Sequence, residues 1–382
     1  MEYLIRTPDF SYLVFYKNDS SGFRMSKILT LNKKASKEIE DYIRTNKNSE
    51  FIKSLKKRGF KLNQVSIRGD YQTLYPLHVQ VEITDNCNLN CRYCYRNSFF
   101  NSENSKEINL SKLKKFLSSL KKRNLLEVGI TGGEPTINSN FLKILKYLLK
   151  NFEVIELITN GTNPEVIFKL FKEISSSEKK KLNISVSFHD WTKKISKLED
   201  PEYYLNKFIK KIGKTHPLRF ILTDIDYFPK KAEIAKNLLK KKGVKKIDFS
   251  FVSPIGRAKD KITEEEYIKK YPPLNENQKP NLNLLNCSLI FRHTSVSPDG
   301  NLRPCALFPT SFVIGNLDQG ISNEFLSLNQ LPCPSDKICG SCTYLDYCRG
   351  CILKGLSNSN KRCLYKKELK KRYPLLQDDI FN

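Results

Sequence analysis

From residue 77 onward, short apolar-rich runs alternate with longer segments whose apolar residues recur every three or four positions. The short runs have the length and β-branched content of strands, and the longer segments have the periodicity of amphipathic helices. The six predicted strands are LHVQVEIT (77–84), EVGIT (127–131), FEVIELIT (152–159), NISVSF (183–188), LRFILTD (218–224) and KIDFSFV (246–252). The predicted helices between them cover 110–120, 140–151, 164–174, 201–212 and 230–243.

This alternation predicts a parallel sheet whose strands are joined by right-handed helical crossovers. Six strands are too few to close an eight-stranded barrel. We therefore predict an α/β core at residues 75–270 that forms a partial, TIM-like (β/α)6 barrel. In such folds the reacting groups lie beyond the carboxyl ends of the strands.

Residues 1–74 precede the repeating pattern and predict a small separate module. Its strand-like and helical segments are YLVFY (12–16), SKILTL (26–31) and KKASKEIEDYIRTN (33–46). Ser49 is placed to cap a second short helix that Gly59 ends. Strands followed by short helices are typical of a winged-helix-like module, and GDYQTLYP resembles a linker to the core.

The composition is that of a globular chain, with 39% hydrophobic and 11% aromatic residues. No apolar run is long enough to cross a bilayer, so no membrane partner is expected. The first residues, MEYLIRTPDF, lack the pattern of a secretory signal, which predicts a cytoplasmic protein whose thiols stay reduced. Eleven cysteines in that compartment indicate metal binding, and their odd number argues against complete disulfide pairing.

The formal net charge is +26, from 66 Lys and Arg against 40 Asp and Glu. Such a charge fits an acidic partner or a nucleic acid. The lysines, however, are scattered through the helical segments, as in LKKFLSSLKKR and KKELKKR. This distribution favours solvated outer helix faces over a nucleic-acid-binding surface.

Several polar motifs follow the predicted strands directly. In strand order they are Cys87, Cys91 and Cys94; TGGEP with Gly132, Gly133 and Glu134; TNGT with Thr159, Asn160 and Gly161; Ser187, His189 and Asp190; Thr223 and Asp224; and SPIGRA (253–258). Because the carboxyl ends of parallel strands meet at one edge, we expect these loops to converge. Singly, TGGEP and TNGT are equally compatible with simple turns.

The first motif, CNLNCRYC, has three cysteines in the spacing Cys-x3-Cys-x2-Cys, although a tetrahedral zinc or an iron–sulfur cluster ordinarily takes four protein ligands. On a loop after the first strand, this spacing resembles that of radical S-adenosylmethionine (SAM) enzymes. The resemblance implies that three thiolates hold a 4Fe–4S cluster whose fourth iron is free to bind SAM. One electron then cleaves SAM to methionine and a 5′-deoxyadenosyl radical. The alternative is a zinc site that borrows a ligand from elsewhere.

The same resemblance implies roles for the other motifs. Gly132 and Gly133 allow close backbone approach, and Glu134 faces the ammonium group of SAM. The further cofactor contacts implied by the resemblance are Tyr93 near the adenine, and Asn160 and Ser187 at the ribose or carboxylate. Asp190 and Asp224 are weak candidates for catalytic residues, because helix capping or pairing with lysine is the favoured interpretation of both.

Residues 271–382 contain a second series of cysteines. SPDGNLRPC (297–305), GNLDQG (315–320) and CGSCTYLDYCRGC (339–351) resemble the SPASM domain, an irregular cysteine-rich extension that binds auxiliary 4Fe–4S clusters. The resemblance implies one or two such clusters, on Cys339, Cys342, Cys348 and Cys363 and on Cys287, Cys305 and Cys351. The last pair is spaced by two residues where the family usually has three, Cys333 is extra, and two Cys-x2-Cys pairs also suit zinc.

The leading hypothesis is a radical SAM enzyme that modifies a peptide or protein by hydrogen abstraction. The N-terminal module weakly resembles the recognition element of peptide maturases, which binds a leader peptide as an added strand. The expected partners are then a peptide, for which an acidic leader would suit the net charge of +26, and an electron donor such as a ferredoxin or flavodoxin. The alternatives are a sulfatase-maturase-like or cofactor-biosynthesis enzyme and, in another class, a zinc-dependent nucleic-acid-binding protein.

Overall fold

The computed structural model of the chain describes most of its first 258 residues and two stretches after residue 292. The described residues are 1–7, 11–19, 22–72, 75–91, 93–98, 105–188, 201–213, 216–224, 236–251, 256–258, 293–308 and 310–322.

The N-terminal module is a four-stranded sheet with two helices. Its elements are β1 (Glu2–Arg6), β2 (Ser11–Asp19), β3 (Gly22–Leu31), α1 (Lys33–Thr45), α2 (Glu50–Lys57) and β4 (Val65–Gly69). The strand order is β3-β2-β1-β4, with β4 parallel to β1 and the other pairs antiparallel. Asn32 caps α1 by accepting the Ala35 N–H at 2.8 Å, and Ser49 caps α2 by accepting the Ile52 N–H at 3.2 Å.

Both faces of this small sheet are buried at β1 and at residues 11–16 of β2. One face packs under α1 and α2, in a cluster that includes Leu4, Leu13, Ile39, Ile52 and Leu55. The opposite face carries Tyr3, Ile5, Tyr12, Val14 and Tyr16, which pack against Leu77, Leu126 and Val154 of the following core. Because β1 and β2 alternate between these two clusters, the sheet serves as the middle layer between its own helices and the core.

The core repeats strand and helix as the sequence predicts. Its elements are β5 (His78–Glu82), α3 (Leu110–Lys121), β6 (Glu127–Thr131), α4 (Phe141–Asn151), β7 (Val154–Thr159), α5 (Pro164–Glu173), α6 (Ser176–Lys181), β8 (Leu182–Phe188), α7 (Pro201–Phe208), β9 (Leu218–Asp224) and β10 (Lys246–Phe251). Residues 236–241 are also helical. Strands β5 to β10 lie in sequential order and pair in parallel. The prediction of an α/β partial barrel is confirmed, and the barrel is not closed.

The sheet continues past β5 into the C-terminal part of the chain. Strand β11 (His293–Val296) pairs in parallel with β5 and is followed by an antiparallel run of β12 (Asn301–Arg303), β13 (Gly315–Asn316) and β14 (Gly320–Ile321). The segment SPDGNLRPC therefore forms the β11–β12 hairpin and places Cys305 just after β12.

The two faces of the core sheet differ in polarity. Alternate residues of β5 to β9 are apolar and pack with α3, α4 and α5 in the main core, for example Val81, Ile130, Leu157, Val186 and Leu222. The intervening positions, which share the other face by strand register, are largely polar: Gln80, Glu82, Glu127, Glu156, Asn183, Ser185, Ser187, Arg219 and Asp248. A sheet packed on both faces would be apolar throughout. The inner face of the partial barrel is therefore suited to a polar ligand.

None of the helices in the described part of the chain has both the length and the apolar content needed to span a membrane.

Candidate active site

The three cysteines of the first motif lie on the loop that follows β5. Cys87 and Cys91 are buried and Cys94 is partly exposed, and all three thiols are free. The loop is compact, because the Cys94 N–H donates to the Cys91 carbonyl at 3.2 Å and the Leu89 N–H to the Cys87 sulfur at 3.4 Å. The spacing of the motif thus folds all three sulfurs onto one short loop.

Burial raises the pKa of Cys87 and of Cys91 to about 12. The charges of Cys91 and Cys94 raise the pKa of Cys87 further, so the three sulfurs are close enough to influence one another. A hydrogen bond from Tyr93 opposes the shift at Cys91. Buried thiolates of this kind need a cation to stabilise them, and a bound metal deprotonates its thiol ligands.

This donor set fits an iron–sulfur cluster. Three thiols on one loop are the soft ligands that such clusters take. Within the described ranges, no three His, Cys, Asp or Glu side chains converge closely enough to hold a single metal ion.

Gly132 and Gly133 bring the TGGEP loop against the residues that precede Cys87. The Gly133 N–H donates to the Thr84 carbonyl at 2.8 Å, and the Glu134 N–H donates to the Asn86 carbonyl at 2.9 Å. A Cβ on Gly133 would lie 2.1 Å from the Asn86 oxygen, and one on Gly132 would lie 2.3 Å from the Thr84 oxygen. These positions leave no room for a side chain.

Glu134 is fully buried, and its carboxylate accepts four hydrogen bonds from the chain itself. The donors are Thr136 N–H at 3.1 Å, Thr136 hydroxyl at 2.6 Å, Thr159 hydroxyl at 2.7 Å and Asn160 N–H at 2.7 Å. Burial raises the pKa of Glu134, and the hydrogen bonds act against that rise. The side chain thus ties the loop after β6 to the loop after β7. Its predicted contact with SAM stays a prediction.

Asn160 connects the TNGT loop to the cysteine motif. Its amide nitrogen donates to the Asn88 side chain at 2.9 Å, and the Asn88 amide donates to the Thr162 hydroxyl at 2.7 Å. Asn88 lies between Cys87 and Cys91, so the loops after β5, β6 and β7 form one hydrogen-bonded unit. Ser187 lies on the inner face near the carboxyl end of β8 and is partly exposed. The predicted cofactor contacts of Tyr93, Asn160 and Ser187 remain predictions.

Arg257 links the loop after β10 to the cysteine loop, a role that the motif SPIGRA alone did not indicate. Its backbone N–H donates to the Cys94 carbonyl at 3.1 Å, and its guanidinium donates to the Ser98 carbonyl at 2.6 Å and to the Asn90 side chain. The preceding Gly256 has φ +59°, and a Cβ there would lie 2.5 Å from the Cys94 and Tyr95 oxygens. The first and last strands of the partial barrel are thereby joined across its open side.

Part of the predicted site falls outside the described residues. These positions are Cys287, Cys333, Cys339, Cys342, Cys348, Cys351, Cys363 and Asp190. Asp224 ends β9, but its side chain is also outside the described part. Cys305 is described: it is partly exposed, and its sulfur accepts the Leu307 N–H at 3.4 Å. The proposed auxiliary ligand sets therefore remain predictions.

Residues 81–230 match the family model described as "Radical SAM superfamily". This match covers the three-cysteine loop and most of the partial barrel, in agreement with the resemblance that the sequence motifs carry.

The chain is similar to the antilisterial bacteriocin subtilosin biosynthesis protein AlbA of Bacillus subtilis (strain 168), with 27% identity over 333 residues that cover 78% of this chain and 71% of AlbA. A shorter match, 29% identical over 114 residues, covers 30% of this chain and 35% of a probable GTP 3′,8-cyclase of Pyrococcus abyssi (strain GE5 / Orsay).

The fold resembles that of Streptococcus suis SuiB, which has been solved with S-adenosylmethionine and with its precursor peptide SuiA. The SAM-bound structure aligns over 93% of this chain and 95% of SuiB, with a TM-score of 0.57 and 14% identity. At this level of identity the likeness concerns the fold alone.

Proposed function

We propose that this enzyme cleaves SAM reductively and uses the resulting radical to modify a ribosomally made peptide. The observation that carries the proposal is the compact loop that holds Cys87, Cys91 and Cys94 at the carboxyl edge of the sheet. These thiolates would bind three irons of a 4Fe–4S cluster and leave the fourth open to SAM. Such a cluster, when bound, would supply the electron for the reductive cleavage of SAM.

The chain's own residues contribute position and shielding. The loops after β5, β6 and β7 are fixed to one another through Glu134, Asn160 and Asn88, so a molecule bound at their rim meets a preorganised surface. Burial of Cys87 and Cys91 keeps water from the iron-binding loop. The polar inner face of β7 to β9 then offers hydrogen-bonding partners to a substrate that enters the barrel from the same edge.

A peptide substrate is supported by the two relatives that align over most of the chain. AlbA is named for bacteriocin biosynthesis, and SuiB has been solved with a precursor peptide. The N-terminal sheet ends in β3, whose outer edge has no partner strand within the described sheet. An extended leader peptide that pairs with β3 would complete that sheet.

An acidic leader suits the surroundings of β3. Strand β3 contacts α6, whose last turn carries Lys179, Lys180 and Lys181. Adjacent lysines attract a peptide rich in Asp and Glu, and the net charge of +26 has the same sign. We propose that a ferredoxin or flavodoxin donates the electron, that one or two auxiliary clusters occupy the C-terminal cysteines, and that the enzyme works in the cytoplasm.

The test of the radical chemistry is the Cys91→Ala variant under anaerobic reduction. It should form no 5′-deoxyadenosine from SAM, because one of three iron ligands is lost. The double variant of Cys339 and Cys342 should retain at least part of this cleavage but yield no modified peptide. Formation of 5′-deoxyadenosine by Cys91→Ala at the wild-type rate would overturn the cluster assignment.

The peptide substrate is tested by co-expression with short open reading frames encoded beside the gene, followed by mass spectrometry of the peptides. A mass change that requires Cys91 supports a peptide substrate. Active SAM cleavage with no modified peptide, from any neighbouring frame, would contradict it.

A further inference from the structure

A buried group of charges lies between the cysteine loop and the Cys305 segment. Glu82, the last residue of β5, accepts from Arg303 at 2.6 Å, from the Arg96 Nε at 3.1 Å and from the Tyr95 hydroxyl at 3.4 Å. The side chains of Glu82, Arg96 and Arg303 are 0%, 10% and 1% exposed. We call Glu82, Arg96 and Arg303 the charge triad.

The charge triad touches both cysteine-bearing segments. Arg96 follows Cys94 by two residues, and Arg303 precedes Cys305 by two. The other end of the Arg303 guanidinium donates to the Phe308 carbonyl at 2.8 Å and to the Ala306 carbonyl at 3.3 Å. The turn that carries Cys305 is thus held through one guanidinium to the carboxylate at the base of the cysteine loop, although the two lie more than 200 residues apart.

The formal charge of the triad is +1, with two guanidiniums and one carboxylate. Removing charges from water is costly, and a buried pair survives only when its geometry and additional hydrogen bonds offset that cost. At such sites a unit charge acts on its neighbours much more strongly than in water.

We propose that the charge triad positions the Cys305 turn against the cysteine loop and sets the electrostatic potential at both thiol sites. The proposal deepens the proposed function and rests on it, because it requires that the cysteines hold iron–sulfur clusters. Arg96 and Arg303 are positioning residues here, since they contact the loops and not the reacting atoms. A net positive charge beside an anionic cluster stabilises its reduced form.

The test is a redox titration of the holoenzyme, monitored by electron paramagnetic resonance, in two variants of opposite charge effect. Arg303→Met removes a positive charge and should lower the midpoint potential, whereas Glu82→Gln removes a negative charge and should raise it. We expect each shift to be roughly tenfold in the reduction equilibrium, equivalent to ~59 mV for a one-electron couple. A merely structural role would move both potentials in the same direction.

Two further variants provide controls. Lys112→Met removes an exposed ion pair to Asp318, which has the same 2.6 Å length but side chains that are 50% and 61% exposed, and should leave the potential at the wild-type value. Arg303→Lys keeps the charge but loses the forked geometry. This variant should therefore have the wild-type midpoint potential, but its hydrogen exchange at residues 303–308 should be faster than in the wild type.

Potential shifts of the same sign in Arg303→Met and Glu82→Gln, or shifts no larger than that of Lys112→Met, would overturn the proposal. If Arg303→Met and Glu82→Gln do not fold, Arg303→Lys provides the test. Unchanged hydrogen exchange at residues 303–308 in that variant refutes the positioning role, whereas faster exchange with a wild-type potential supports the proposal. A wild-type cluster whose spectrum does not respond to SAM would contradict the proposed function instead. The shifts in midpoint potential that test the charge triad can be measured on any reducible cluster of the protein, whether or not that cluster responds to SAM.

Discussion

At the scale of single residues, the candidate site is organised by buried polar groups that bind other parts of the chain. Glu134 is the clearest case, because two loops donate to its two oxygens. Two of its four donors are backbone N–H groups, whose direction is fixed by the fold of the main chain. A buried N–H that loses its acceptor costs about 1–3 kcal/mol. The carboxylate is therefore a structural requirement of the site whatever it contacts in the complex.

Glu134→Gln should destabilise the protein by about 1–3 kcal/mol, because the amide NH2 cannot accept from a backbone N–H. Urea unfolding measures this change. The matched control is Glu107→Gln, an exposed glutamate whose carboxylate likewise accepts a backbone N–H, that of Ser139 at 3.0 Å, and the Ser139 hydroxyl. Equal effects of the two substitutions would show that the buried network contributes no more than an exposed one.

Gly133 presents a steric requirement of the same site. The methyl group of Gly133→Ala would lie 2.1 Å from the Asn86 oxygen, so the cysteine loop must move away from the TGGEP loop. Overpacking of this kind costs typically 1–3 kcal/mol. We expect a lower iron content per chain after reconstitution, measured by metal analysis.

Gly243→Ala is the control for that experiment. Gly243 has φ +80° and open space around it, so alanine there strains the backbone by about 1–2 kcal/mol without touching the site. It should lower the free energy of unfolding and leave the iron content unchanged. If both alanine variants lose iron alike, general destabilisation and not the clash at Asn86 is responsible.

At the scale of elements, the sequence specified the long repeating part of the chain. Strands β6 and β9 occupy the predicted residues 127–131 and 218–224, because each is an apolar run bounded by clear turn or helix signals. The strands that the pattern missed are β1, β4 and β11 to β14, which have only two to five residues. Runs so short carry little periodicity, and their stability comes from partners distant in sequence.

The candidate site likewise has one part that the sequence predicts and one part that it does not. The loops that converge were predicted from their positions after the strands, since strand order fixes where the loops lie. The contacts of Arg257 and of the charge triad were not predicted, because they depend on which side chains meet across the fold. A lone arginine in SPIGRA or SPDGNLRPC gives no sequence signal of its carboxylate or carbonyl partner.

Glu127 connects the N-terminal module to the core and should make stability depend on pH. Its carboxyl group accepts from the Tyr16 hydroxyl at 2.9 Å, and burial raises its pKa from 4.5 to about 7. Between these values the folded protein holds a proton that the unfolded chain has released. This contribution to stability is therefore present in full below pH 4.5 and is lost as the pH rises through about 7.

The experiment compares the wild type with Glu127→Gln at pH 5 and pH 8. Relative to the variant, the wild type should lose about 2 kcal/mol of unfolding free energy at the higher pH. The comparison with the variant is needed because burial also lowers the pKa of His78 to about 4. His78 therefore increases the unfolding free energy of both proteins as the pH rises. A difference that is constant with pH would show that Glu127 titrates normally.

At the scale of the whole molecule, three parts of the chain pack against the partial barrel or extend it. The N-terminal sheet packs on Leu77, Leu126 and Val154, and β11 extends the sheet beyond β5. On the side where β10 has no further partner strand in the described sheet, the loop at residues 256–258 reaches the cysteine loop. The cysteine loop is therefore supported by the first and last parts of the core at once.

Arg257→Met tests whether this contact holds the cysteine loop. The substitution removes the guanidinium bonds to Ser98 and Asn90 but keeps the backbone bond to Cys94, so the sheet should remain folded. Hydrogen exchange at residues 87–98 should become faster, and SAM should perturb the spectrum of the reduced cluster less. Bonds to charged groups contribute about 1.5–3 kcal/mol when buried, and Arg257 is only partly buried, so the effect on global stability should lie near the lower limit.

Arg219→Met is the matched control, because Arg219 also joins strands, β9 to β10 through Asp248 at 2.6 Å and β9 to β7 through Glu156 at 3.6 Å. Within the described residues it has no ion pair with the cysteine loop. It should change exchange in β9 and β10 and leave residues 87–98 at the wild-type rate. Equal acceleration of the cysteine loop in both variants would mean that the sheet as a whole, and not the contact made by Arg257, determines how firmly that loop is held. Unchanged exchange in Arg257→Met would mean that the backbone bond and the packing of Gly256 suffice to join the two ends of the barrel.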